Sequence, residues 1–174
     1  MKALMYHYVR DFSNEAPFSR HKETLDFIKE ISSLQKNGFY FENVSSAIDT
    51  YQEKSNPERV ILLTFDDGLK DHLAVASSLN ELGIKQGTFY IPILPYTRKS
   101  ILPVHKAHLI ASIHGGKSLG LLKKACNEIG VSIIDHSSFK EDNLRYKMQH
   151  LGYSSQEDFD DIKEFKRLVN YCGD

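Results

Sequence analysis

The sequence predicts an α/β fold, a parallel sheet in the N-terminal half followed by a helical segment in the C-terminal half. Three observations predict it. Val60-Ile61-Leu62-Leu63 is a continuous apolar run, the pattern of a parallel strand covered on both faces. That run, the amphipathic segment after it and the β-rich segment Gln86–Ile91 form a strand–turn–helix–strand unit of about 30 residues, which calls for a right-handed crossover and parallel strands. Beyond Pro92 the texture changes to segments with helical spacing.

Taken in order, Ala3–Val9 is short, apolar and aromatic and reads as a first, buried strand. Asp11–Arg20 is polar and carries Pro17, so it reads as a loop. Lys22–Asn37 spaces Leu25, Ile28, Ile31 and Leu34 three apart, an apolar helical stripe that Gly38 ends. Val44–Tyr51 reads as a shorter helix with Val44, Ala47, Ile48 and Tyr51 on one side, and Ser55-Asn56-Pro57 as a turn. Arg59–Phe65 is the clearest strand. Asp71–Leu82 follows as a helix with Leu73, Ala76, Leu79 and Leu82 at helical spacing and Gly83 as its cap. Gln86–Ile91 is the next strand. Pro95 and Pro103 bracket a polar loop, and Val104–Ile113, Ser118–Ile129, Glu141–His150 and Gln156–Tyr171 read as helices, with Val131–Asp135 as one further short strand.

The bulk properties exclude several classes of protein. The chain has 174 residues, 41% hydrophobic and 26% charged, within the range of one globular domain. The formal net charge is -1 and the basic residues are interspersed with acids, which argues against a nucleic-acid partner. Two lone cysteines, Cys126 and Cys172, make neither a disulfide framework nor a zinc knuckle. The N-terminal apolar run is broken by His7, Arg10 and Asp11, unlike a secretory signal, and no stretch reaches the roughly 18 apolar residues of a membrane span. The expectation is a cytoplasmic protein with no membrane partner.

Chemistry concentrates at Thr64-Phe65-Asp66-Asp67-Gly68, where the buried strand ends. Active sites of parallel α/β folds collect at the C-terminal ends of strands. Adjacent carboxylates there repel and are partly desolvated, so a cation or a proton belongs with them. Gly68 permits a positive φ that aims the two side chains differently. One carboxylate can then hold a metal while the other takes a proton from water. The plainer alternative is an Asp-Asp-Gly turn that caps the next helix.

Leu63-Thr64-Phe65-Asp66-Asp67-Gly68 resembles the first motif of the polysaccharide deacetylases, carbohydrate esterase family four. Met5-Tyr6-His7-Tyr8-Val9 is similar to the opening strand of one branch of that family, and Gly87-Thr88-Phe89-Tyr90-Ile91-Pro92 to the strand after the first motif. Asp71-His72 and the stretch Leu102–Leu109 look like a subgroup with a helical insertion. The resemblance spans roughly Met1–Ile113. It implies a partial or irregular (β/α) barrel over residues 1–92, a mostly helical insertion over 93–174, and one domain in all. It also implies Asp66 as general base, Asp67 as ligand of a divalent metal of zinc type, and hydrolysis of N-acetyl groups from a carbohydrate.

The family's second motif, two histidines in an H-x-x-x-H arrangement, has no counterpart in this chain. The closest histidine pair, His105 and His108, is spaced i, i+3 and shares a helix face; it is a candidate for metal ligation or a pair of half-exposed histidines. His136 reads as a loop histidine. His7, at the end of the first strand, and Tyr90, at the end of the third, are candidates for lining the pocket; a satisfied hydrogen-bonding role for His7 is the alternative. The expectation is a truncated deacetylase, doubtful in activity alone, completed by a second copy or a complementary C-terminal chain. The competing expectation is a non-catalytic remnant that binds a glycan or a partner. Aspartate-nucleophile phosphoryl transfer, dinucleotide binding and serine hydrolysis each lack their motif.

Overall fold

The computed structural model describes residues 1–52, 57–131 and 160–171. The chain divides into two compact units, Met1–Asn14 with Arg20–Ser100, and Glu15–Ser19 with Ile101–Asp174.

The first unit is α/β. It contains β1 (Lys2–Tyr6), α1 (Thr24–Lys36), β2 (Tyr40–Glu42), α2 (Val44–Gln52), β3 (Val60–Phe65), α3 (Asp71–Glu81), β4 (Thr88–Phe89) and α4 (Leu94–Arg98). All strand pairs are parallel, and β3 is the hub. β1 runs along β3 from Lys2 opposite Ile61 to Tyr6 opposite Phe65. β2 pairs with the start of β3, Tyr40 opposite Val60, and β4 with its end, Phe65 opposite Phe89. A strand has two edges, so β2 and β4 share the one that β1 leaves.

β3 separates two faces by its period-2 alternation. Ile61, Leu63 and Phe65 point into a core with Phe27 and Ile31 of α1, Phe41 of β2, and Val75 and Leu79 of α3. Tyr6, Phe27 and Phe65 form an aromatic cluster inside it, with Tyr6–Phe65 stacked at 5.7 Å. On the opposite face α2 packs on β2 and β3, and Val60 and Ala47 are buried. Farther along that face Leu62 and Thr64 are only half-buried.

That leaves β1 different from the buried strand expected. It ends at Tyr6 and lies at the sheet edge among the described residues, with Ala3 and Met5 exposed, Met5 by 48%. Its apolar composition reflects one buried face, Leu4 and Tyr6, rather than two. The helix stripes shift similarly. In α3 the buried side is His72, Val75 and Leu79, while Leu73 is 75% exposed. In α1 it is Phe27 and Ile31, while Leu25 is 68% exposed. β2 forms in the stretch between Gly38 and Val44, to which no element was assigned, α4 overlaps the loop expected from Pro95 onward, and the strand expected over Gln86–Ile91 contracts to Thr88–Phe89. Pro95 sits in the first turn of α4, where its missing N–H costs nothing.

The second unit is helical: α5 (Pro103–His114), α6 (Ser118–Glu128) and α7 (Asp160–Tyr171). Ala107 and Ala111 of α5, Leu119 of α6, and Ile162, Phe165 and Leu168 of α7 form its core. The residues at 162, 165 and 168–169 recur at helical spacing, which gives α7 its single apolar stripe. Phe18 is fixed to α5 by its N–H, which donates to the Ser112 carbonyl at 2.9 Å. Cys126 is a buried free thiol. The helix expected over Glu141–His150, most of the strand expected over Val131–Asp135, His136, Cys172 and most of the Ser55-Asn56-Pro57 turn lie outside the described residues. No helix of the described residues is long and apolar enough to cross a membrane.

Candidate active site

The candidate site is the turn that follows β3. Asp66 directly continues the strand, and its N–H donates to the Tyr6 carbonyl of β1 at 3.1 Å, extending the sheet pairing by one residue. Asp67 then adopts φ 77° and Gly68 φ 59°. Two successive residues in the left-handed region reverse the chain at once, and glycine accepts this without strain. Aspartate is among the few other residues that visit this region, at a cost of about 1 kcal/mol or more. Positive φ was expected of Gly68 alone; nothing in the composition marks Asp67 as the second such residue. A Cβ on Gly68 would meet Cγ2 of Ile91 at 3.0 Å, so the turn is also tightly packed.

The turn does not serve as a helix cap. The cap position of α3 belongs to Lys70, which makes no side-chain capping bond, and the acid of the first helical turn is Asp71. Asp66 keeps its Oδ1 buried with no hydrogen-bond partner among the described residues. A carboxylate oxygen in that condition costs free energy unless a proton, water or cation meets it.

Around this turn the segment after β1 supplies His7, Tyr8 and Arg10. His7 Nε2 lies 3.9 Å from Asp67 Oδ2, with both side chains part-exposed. Arg10 forks onto Asp71, Nε at 2.6 Å from Oδ2, and its guanidinium sits 4.5 Å above the Tyr8 ring. Burial pushes the Tyr8 hydroxyl up to about 12; Arg10 opposes this, and the charges of Asp67 and Asp71 add to it. Tyr8 therefore stays protonated at neutral pH.

Of the residues singled out from sequence, Asp66, Asp67 and His7 come together at this end of the sheet. Tyr90 is joined to it through the backbone, its N–H donating to the Phe65 carbonyl at 2.8 Å, and its side chain is 52% exposed. His105 and His108 stand on α5 in the second unit, ring centroids 6.4 Å apart. Three residues of the neighbourhood escaped the sequence reading: Tyr8, Arg10 and, in its structural role, His72. Tertiary contacts give them their place: Arg10 with Asp71 of α3, Tyr8 beneath the Arg10 guanidinium, and His72 with the His7 carbonyl.

A carboxylate and an imidazole are donors of the type a zinc-like ion takes. A catalytic ion takes three protein ligands. No group of three or more His, Cys, Asp or Glu side chains able to hold a metal occurs among the described residues. Among the described residues Asp67 and His7 thus supply two of the three.

No family model, curated protein or solved structure matches this chain. Function rests on the chemistry of the turn.

Proposed function

We propose that this chain carries the proton-handling part of a hydrolase that removes N-acetyl groups from a carbohydrate. The observation that carries the reading is Asp66: a carboxylate with a buried, unpartnered oxygen at the C-terminal end of the central parallel strand, next to a second carboxylate held in left-handed backbone. Asp66 is the general base. It takes a proton from water, the water oxygen bonds to the acetamide carbon, the C–N bond breaks, acetate leaves and the sugar amine takes up a proton. Asp67, with His7 beside it, is the partial seat of a divalent ion of zinc type, which when bound polarises the carbonyl. The tertiary arrangement that goes with this reading is an irregular β/α barrel in which β1, β3, β2 and β4 form one arc.

Held by Asp67 and His7 alone, such an ion would bind weakly and turnover would be slow. A second copy or a complementary chain that supplies further ligands would raise both. The lack of an H-x-x-x-H pair in the sequence favours the second reading, a non-catalytic module that retains the sheet and binds a glycan or a partner.

The deciding experiment measures acetate released from N-acetylated chitooligosaccharides, with and without added zinc, for the wild type and Asp66→Asn. Zinc-dependent release that Asp66→Asn removes supports the hydrolase. Release that Asp66→Asn leaves unchanged rules it out. No release, no bound metal and a clean monomer by light scattering favour the binding module.

A further inference from the structure

His72 is the one buried histidine side chain on α3, 5% exposed, and the mechanism above leaves it without a task. Its ring lies against the stacked pair Phe65 and Phe89, with centroids 5.7 Å and 5.9 Å away. Its polar contact is one hydrogen bond: Nε2 lies 2.9 Å from the backbone oxygen of His7. A carbonyl only accepts, so Nε2 carries the proton. Nδ1 is buried with no partner among the described residues. A ring with one polar outlet in apolar surroundings is fixed in tautomer and orientation by that outlet.

The bond joins two segments that must meet for the site to exist. His7 follows β1, Asp67 follows β3, and their side chains are 3.9 Å apart. The two segments are stitched at three points: Asp66 N–H to the Tyr6 carbonyl, His72 to the His7 carbonyl, and Arg10 to Asp71. The middle stitch grips the backbone of His7 itself. We propose that His72 is a positioning residue, whose Nε2–H holds the His7 carbonyl and thereby keeps the His7 imidazole beside Asp67. Its relevance to turnover rests on the hydrolase reading; its geometry does not.

The test reads geometry and not activity. Asp67→Asn is introduced into the wild type, His72→Gln and His72→Phe, and the change it causes in the His7 ring NMR shifts is recorded. Glutamine keeps an N–H donor near the Nε2 position, whereas phenylalanine fills the space without one. The Asp67→Asn effect is expected to persist in His72→Gln and to fall below about half its wild-type size in His72→Phe. An undiminished effect in His72→Phe overturns the proposal. Should His72→Phe fail to fold, the ring ¹⁵N spectrum of wild-type His72 decides: a proton on Nε2 supports the role, and a proton on Nδ1 overturns it. If Asp66→Asn leaves acetate release unaltered while these shifts behave as expected, the hydrolase reading falls and the positioning role stands.

Discussion

Asp67 and His7 follow two neighbouring parallel strands, and their side chains approach to 3.9 Å because both strands end at the same level. Tyr6 is in register with Phe65, so the residues that follow each strand emerge side by side. Parallel pairing makes this inevitable: strand ends of one polarity gather on one rim of the sheet.

Asp66 is where stability and function should oppose one another. Its Oδ1 is buried without a partner among the described residues, so replacing the charge with a neutral amide removes a desolvation penalty. Asp66→Asn is expected to leave the urea midpoint unchanged or raise it, while lowering any acetate release at least ~100-fold. A loss of stability alongside retained release would contradict both halves.

Backbone strain at Asp67 gives a second outcome. At φ 77° a glycine relieves the left-handed penalty, and a β-branched residue worsens it. Asp67→Gly should stabilise the fold by up to ~1 kcal/mol, and Asp67→Val should cost ~1–2 kcal/mol, both read from urea denaturation. Bound zinc, assayed by equilibrium dialysis, should be reduced in both variants.

The Arg10–Asp71 pair is part-buried and held through two guanidinium nitrogens. Both nitrogens meet the same Oδ2, and a part-buried charge-assisted pair of this kind exceeds an ordinary surface pair. Asp71→Asn should destabilise by ~1–2 kcal/mol, with a difference from wild type that shrinks as salt is raised. A salt-independent difference would point to packing rather than charge.

Alkaline pH tests the surroundings of Tyr8. Its folded-state value, raised from 10.0 to about 12, lies above the unfolded value. Between these the folded state binds more protons, so stability present below about pH 10 is lost as pH climbs toward 12. Tyr6 acts in the same direction: burial raises it above the usual tyrosine range, and Glu30, which accepts its hydroxyl hydrogen bond at 3.0 Å, raises it further. Tyr8→Phe should therefore flatten the fall in urea midpoint between pH 10 and pH 12. An equally steep fall in that variant would assign the loss to other groups.

The sequence by itself determined the elements with strong local signatures. The apolar run of β3, the crossover through α3 and the helices α1, α5, α6 and α7 follow from periodicity and end signals carried within each segment. It also put Asp66, Asp67 and His7 forward, because adjacent acids after an apolar strand are chemically conspicuous. Which side of each helix is buried was decided by the tertiary structure. Leu73 is as apolar as Leu79, and only the place of α3 against the sheet exposes one and buries the other. β2 has three residues, too few for a periodic signal, and exists because β3 offers it an edge, while the strand legible over Gln86–Ile91 keeps only the two residues, Thr88 and Phe89, that pair with β3. Long-range pairing likewise joined His72 to the His7 carbonyl, 65 residues away, and Arg10 to Asp71, 61 residues away. Local sequence sets a residue's conformational preference; its contacts depend on where the rest of the chain packs.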